Sequence, residues 1–442
     1  MRCEWTGMNM KEIINAIIAD FQARDVPNGV PRETSFPVMD GKASVVTGMR
    51  RSGKTWFCFQ RIRALLTSGI PKTRILYINF DDERLIDFTV RDFQTILDVY
   101  YARWPENKTQ TCHFFFDEIQ TVNQWERFVR RLIDTENVHI TVTGSSSKML
   151  ATDIATSLRG RTIVRELLPF SFCEFLAAKK TFTGTPDPYR SHDAARLRNA
   201  LRDYLVCGGF PETVHCAPEM RRDILRGYVE TVLFKDVVER HKISNILVLR
   251  HLIAAILSNP GHAFSVNKFF NTMKSKGIAC TKNALYDYVA HLADAHFLYR
   301  LPFESESIRV QQVNPEKLYC ADPALCGLLQ PVVENSLGLL LETTVYLHLH
   351  RQGGHLSYYR SGVNREVDFV SVVPNGRRAT LIQVCTDISN PETLKRELRA
   401  FETLPKGLAK ADKLIVTLDD LKDCGNDVLA IPAWRWLLAA KG

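Results

Sequence analysis

The sequence predicts an α/β protein whose N-terminal part is built on a mostly parallel sheet. Two observations predict it. Four short apolar runs of strand character alternate with stretches of helical spacing. A glycine-bearing turn ending in Lys-Thr stands between the first of those strands and the helix that follows it. Size and composition agree, since 442 residues with 45% apolar and 24% charged side chains suffice for about three domains. The same figures exclude a disordered tail, a fibre and a small disulfide scaffold. No stretch supplies the roughly 18 consecutive apolar residues of a membrane span. The first residues lack the basic, apolar and small-residue order of a signal peptide, so a cytoplasmic protein without membrane contact is expected.

Ile13, Ile14, Ile17 and Ile18 recur at helical spacing and predict an amphipathic helix over 9–23. Residues 24–41, rich in Gly and Pro, read as a connection. Ala43 to Thr47 is the first strand, and the helix after the turn is stopped by Gly69 and Pro71. Further strands are expected at 74–80, 112–116 and 139–143, with helices at 84–101 and 124–134. Crossovers between parallel strands should be right-handed. Residues 170–260 read as mainly helical, interrupted by Gly and Pro at 182–188 and 208–211. Residues 262–300 have a helix-turn-helix character with Thr281 as N-cap of the second helix, followed by a wing at 297–313. From about 330 the chain makes one more helix and then alternates strands and helices. Trp434 and Trp436 read as packing residues.

Gly48, Gly53, Lys54 and Thr55 complete G-x-x-x-x-G-K-[ST]. Such a loop turns successive backbone N–H groups onto phosphates, and the helix that starts there adds the positive end of its dipole. The expected nucleotide-binding segment is Gly48, Met49, Arg50, Arg51, Ser52, Gly53, Lys54, Thr55 and Trp56. Lys54 would neutralise the β and γ phosphates of ATP, and Thr55 would offer its hydroxyl to Mg²⁺. Arg50 and Arg51 read either as nucleotide or subunit contacts or as a solvated pair. The run FFFDEIQ ends a strand with two acids. Asp117 is the expected Mg²⁺ carboxylate and Glu118 the group that polarises the attacking water. Ser145 or Ser146, after the next strand, reads as a γ-phosphate or water sensor, with a helix cap as the alternative. Arg159 and Arg161 read as sensors of phosphate charge from the same or an adjacent subunit, or as surface salt bridges.

The formal charge of +8 is a mild excess that nucleotide phosphates, nucleic acid or solubility would each explain. The 11 cysteines are scattered without a CxxC pair and read as reduced thiols.

The pieces TGMRRSGKT, FFFDEIQ, TGSSS, SLRGRTIVRELLPFSFCEFL, GGFPE and YYRSGVNREVDFV, in that order, resemble the bacterial and archaeal P-loop ATPases of the extended AAA+ group that carry a C-terminal domain of uncertain function. The resemblance implies Lys54 and Thr55 for nucleotide and Mg²⁺, Asp117 and Glu118 as the acidic pair, a serine sensor and Arg161 as an arginine finger. It implies a P-loop NTPase domain over 1–170 and a restriction-endonuclease-like α/β domain over 331–442, and the residue pattern between them reads as a helical lid or linker over 171–260 and a winged-helix-like domain over 261–330.

A nuclease of that kind needs a helix acid, a strand-end Asp and an E-x-K pair. Glu342 and Asp368 fit, whereas Gln383 and Cys385 stand where the pair belongs, so cleavage is expected to be lost. An ion pair of Arg365 with Glu366 is the alternative, and it would leave even Asp368 structural. The expected activity is an ATPase switch, with a nucleotide-gated scaffold or DNA-binding protein as the alternative and an ATP-dependent nuclease as the weaker one. Partners left open are a second copy of the chain, an unidentified protein, and DNA through Lys274, Lys276 and Lys282 of the central basic region.

Overall fold

In the computed structural model the described residues are 8–35, 37, 39–145, 158, 160–184, 186–328, 337–362, 365–374, 376, 378–425 and 427–439. The chain divides into two compact units, Met1–Leu167 and Leu168–Gly442.

The first unit opens with α1 (Met10–Ala23), closed at its start by a reciprocal cap between Asn9 and Glu12. Then follow β1 (Ala43–Thr47), α2 (Lys54–Thr67), β2 (Ile75–Asn79), α3 (Phe93–Arg103), β3 (Cys112–Asp117), α4 (Trp125–Thr135), β4 (Val138–Gly144) and β5 (Thr162–Glu166). The five strands are all parallel and lie in the order β2-β3-β4-β1-β5. This is the parallel five-stranded sheet of a P-loop NTPase domain. Period-two alternation sorts the side chains between the two faces. Leu76, Ile78, Phe114, Phe116, Ile140 and Val142 pack under α1, α3 and α4. Ile75, Tyr77 and Phe115 meet Cys58, Phe59 and Ile62 of α2 on the other face.

Two expectations need correction here. The helix read over 84–101 begins only at Phe93, because Asp82 and Thr89 each accept backbone N–H groups and close separate 3-10 turns at Glu83–Leu85 and Val90–Asp92. The fifth strand, β5, was not foreseen. It is a half-exposed edge whose TIVRE run ends in two charged residues, so neither a clean alternation nor an apolar run marks it.

The second unit begins with helices Phe172–Ala178, Ser191–Cys207 and Pro218–Thr231, the last running on as a π-helix over Val232–Glu239, and Ile246–Ser258. Phe170 N–H donates to Gly209 O at 2.6 Å, and Gly209 N–H donates to Asp322 Oδ2 at 2.6 Å. A Cβ on Gly209 would stand 2.3 Å from Phe170 O, so this crossing requires glycine.

Helices Val266–Ser275 and Lys282–Asp294 follow, the second capped by Thr281, which accepts Ala284 N–H at 3.2 Å. Strands β6 (Leu298–Leu301) and β7 (Lys317–Cys320) form an antiparallel ribbon. Within the stretch 297–313, read as a wing, only Leu298–Leu301 is strand. Its return strand lies later, and Ile308–Val313 is helical. After helix Leu337–Gln352 comes a six-stranded mixed sheet. Its strands are β8 (His355–Gly362), β9 (Arg365–Val372), β10 (Thr380–Val384), β11 (Asp412–Thr417), β12 (Lys422–Asp423) and β13 (Val428–Pro432), in the order β12-β13-β11-β10-β9-β8.

Candidate nucleotide site

The loop after β1 is shaped by a close approach. Leu167 N–H donates to Thr47 O at 2.7 Å, which brings Leu167 O against the start of the loop. Gly48 has φ +144, and a Cβ there would lie 2.3 Å from that oxygen. The first residue of α2, Lys54, is only 4% exposed. Its Nζ donates to Gly48 O at 3.0 Å and Met49 O at 3.2 Å and stands 3.7 Å from Glu118 Oε1. A buried ammonium is tolerated because these partners satisfy it.

Because β4 separates β1 from β3, the two sequence-distant motifs face each other across one strand. Thr55 Oγ1 donates to Asp117 Oδ2 at 2.7 Å, and Tyr77 OH donates to the same oxygen at 2.9 Å. Thr143 Oγ1 donates to Asp117 Oδ1 and accepts Glu118 N–H at 3.0 Å. Asp117 is fully buried. Burial and the neighbouring Glu118 push its carboxyl up, against the three hydroxyl donors. Burial acts on Glu118 in the same sense. Lys54, the Gln120 side chain and Arg50 outweigh it and hold Glu118 below the usual carboxylate range. Glu118 also sits in the left-handed region at φ 52, an uncommon backbone for a residue with a side chain. Gln120 Nε2 donates to Glu118 Oε2 at 2.5 Å and fixes its direction.

Ser52 is fully buried, and its carbonyl accepts Arg32 Nη1 at 2.8 Å. Met49 is buried, while Arg51 adopts φ 69 at the outer bend of the loop. Arg50 is close enough to Glu118 to act on its charge. Trp56 is 49% exposed and packs edge-on against Phe59, 6.0 Å between ring centroids. Ser145 is fully buried just beyond the end of β4, between the loop strand and the acidic strand. Ser146 and Arg159 lie outside the described residues.

Arg161 is not brought to this site within the chain. It precedes β5, and its carbonyl accepts the N–H of Ala43 at the start of β1. That is the opposite end of the strands from the loop, and the guanidinium pairs there with Asp134. Arg32, Tyr77 and Thr143 were missed by sequence reasoning. Only Thr143 left a signal, since Thr141 and Thr143 alternate with Ile140 and Val142 along β4.

In the second unit, Glu342 and Asp368 do converge, but around a lysine. Lys317 Nζ, on β7, lies 3.3 Å from Glu342 Oε1, 2.8 Å from Glu366 Oε1 and 3.2 Å from Asp368 Oδ1. Tyr319 OH donates to Glu342 at 2.7 Å. Gln383 accepts Asp368 N–H at 3.2 Å and donates to Glu397 at 2.8 Å. Lys317 is thus the cation that these carboxylates share. The alternative Arg365–Glu366 pair does not form, because Glu366 faces Lys317 while Arg365 donates to Thr403 at 2.8 Å. Among the described residues no group of three or more His, Cys, Asp or Glu side chains could hold a metal ion.

The parallel sheet, the glycine-lysine-threonine loop and the buried acid opposite it define a P-loop protein of the AAA class. Residues 40–176 match the AAA domain family, residues 198–336 a domain of unknown function (DUF8612) and residues 337–436 another (DUF4143). The chain is 33% identical to the uncharacterized protein MJ1544 of Methanocaldococcus jannaschii, over 92% of this chain and 91% of that one. It belongs to the same family. An uncharacterized protein of Haemophilus influenzae is 29% identical over 74% of this chain and 78% of its own. Among solved structures, a Walker-type ATPase of Pyrococcus abyssi aligns at 13% identity and a TM-score of 0.41, covering 72% of this chain and 94% of that one.

Proposed function

We propose that the protein is a Mg²⁺-dependent ATPase switch. The observation that carries this reading is the 2.7 Å contact between Thr55 and Asp117, with Lys54 and Glu118 beside it. A hydroxyl and a carboxylate side by side are hard oxygen donors of the kind Mg²⁺ takes together with substrate phosphates. They suit that ion better than a dedicated cage of protein ligands would, and Mg²⁺ would supply charge neutralisation at the phosphates. In this reading Lys54 releases the loop carbonyls and turns to the β and γ phosphates. Glu118, held ionised, orients the attacking water, and Ser145 senses the γ phosphate. Catalysis is then positioning and charge stabilisation. Switching requires that ATP and ADP states differ in the free energy of domain or partner contacts.

The test is ATP binding and hydrolysis by wild type, Lys54→Ala and Glu118→Gln. Lys54→Ala is expected to lose nucleotide affinity. Glu118→Gln is expected to keep binding and lose about 10²-fold or more in kcat. Solution mass with and without ATP reads assembly on the same sample. Folded protein that binds neither ATP nor GTP with Mg²⁺ ends the proposal. ATP binding without turnover favours the nucleotide-gated scaffold instead. DNA is the partner class favoured by exposed Lys274, Lys276 and Lys282 at and beside the turn between the two central helices. A salt titration of DNA binding, with a slope reduced by removing one lysine, checks it.

A further inference from the structure

The face of the first sheet that carries the nucleotide site has a second polar end. At the strand C-termini this face presents Asp117 and Thr143. At the N-termini the residues on the same side are Ser44, His113, His139 and Thr141, paired by register as Ser44 with Thr141 and His113 with His139. A sheet face covered by a helix is ordinarily apolar at such positions. Here these residues border a cavity of about 340 Å³ between the sheet and the last turns of α2. Arg61, from α2, and Lys42, just before β1, also line it.

The lining contains two fixed cations and two imidazoles, and no carboxylate. The acid beside it, Asp40, is 97% exposed, with its oxygen 3.7 Å from His139 Nδ1. Among the described residues, neither the Lys42 ammonium nor the ring nitrogens of His113 have a hydrogen-bond partner. The His113 and His139 rings lie 5.2 Å apart. Burial first, and then the positive charges of His139, Arg74 and Arg61, push His113 down to about 4. Concentrated positive charge with unused donors and no acid is the complement of an oxyanion. Leu65 and Phe115 supply an apolar wall, and the volume suits a small ligand.

We propose that this cavity binds a small organic oxyanion, its phosphate or carboxylate held by Arg61 and Lys42 and by N–H groups of His113 and His139. The site is separate from the phosphate loop and does not depend on what that loop binds.

The probes are sodium phosphate and sodium citrate, added to full-length protein with ¹³C-labelled histidine at constant ionic strength. The readout is the ring resonances of His113 and His139, assigned with His113→Gln and His139→Gln. Saturable shifts in both rings are expected, with the same apparent Kd in wild type and in Lys54→Ala, where the phosphate loop is disabled. Arg61→Gln should weaken the Kd about tenfold or more. Lys42→Ser, at a partly exposed position whose ammonium bonds to no described residue, should weaken it less but measurably. A response to one probe alone assigns the phosphate or the carboxylate class. Rings that move with neither probe, or that respond equally in Lys42→Ser and wild type, overturn the proposal.

Discussion

Thr143 ties the two acids of the nucleotide site together, through Asp117 Oδ1 on one side and Glu118 N–H on the other. Valine would keep its shape and remove both bonds. The stranded buried groups should cost about 1–3 kcal/mol, read as a lower denaturation midpoint. Thr143→Val is also expected to lower kcat more than it changes KM, because Glu118 loses the bond that holds its backbone. An unaltered kcat would show that the bridge is structural alone. Arg161→Ala is expected to leave kcat unchanged, since its side chain pairs with Asp134 at the far strand end. A large fall would place Arg161 in the site of an adjacent copy. Lys54, Thr55, Asp117 and Glu118 were legible in the sequence because each belongs to a short contiguous motif with its strand or helix attached. Arg32 and Tyr77 were not, because each reaches the site from a segment that carries no motif.

The ribbon strand β7 and the strands β8 to β10 show what one buried side chain does for neighbouring elements. Lys317 is 2% exposed and is the cation of three carboxylates contributed by helix Leu337–Gln352 and β9. Burial alone would lower its pKa. Glu342, Asp368 and Glu366 reverse that and hold it charged. Removing one partner from a buried ionic group leaves the others uncompensated, so Lys317→Met is expected to destabilise the second unit by about 3–5 kcal/mol. Adding Glu342→Gln and Asp368→Asn should recover part of the loss, a coupling that chemical denaturation of the set would measure. No recovery would mean that packing, not charge, accounts for the loss. Elements with strong periodicity, such as α1, α2 and β1 to β4, were readable from the chain. The edge strand β5 and the return strand of the ribbon were not, because hydrogen bonds from neighbours define them more than their own pattern does.

Across the whole molecule, stability should carry the signature of a buried acid in the second unit. Asp322 accepts N–H bonds from Gly209 and Ala324, but burial outweighs them and pushes its carboxyl up to about 7. The folded state therefore keeps a proton that the unfolded chain releases near 3.8. Stability from this group is complete below that value and falls as pH rises toward 7, by at most about 1.4 kcal/mol per pH unit. Denaturant unfolding between pH 5 and 7 should show this slope, and Asp322→Asn should flatten it even if its overall stability is lower. An identical slope in the variant would assign the proton elsewhere. At the same scale, no helix among the described residues is long and apolar enough to cross a membrane.

The order of strands and helices, the phosphate loop and the acidic strand end were determined by the sequence, since periodicity and short motifs act between residues a few positions apart. Tertiary structure alone decided that β4 stands between loop and acid, that Arg161 lies at the wrong end of the sheet, and that Lys317 sits among three carboxylates from later elements of the second unit. It also decided that one sheet face gathers cations and imidazoles around a cavity. Each of these depends on strand order and register, which bring together residues far apart in the chain and leave no local trace in it.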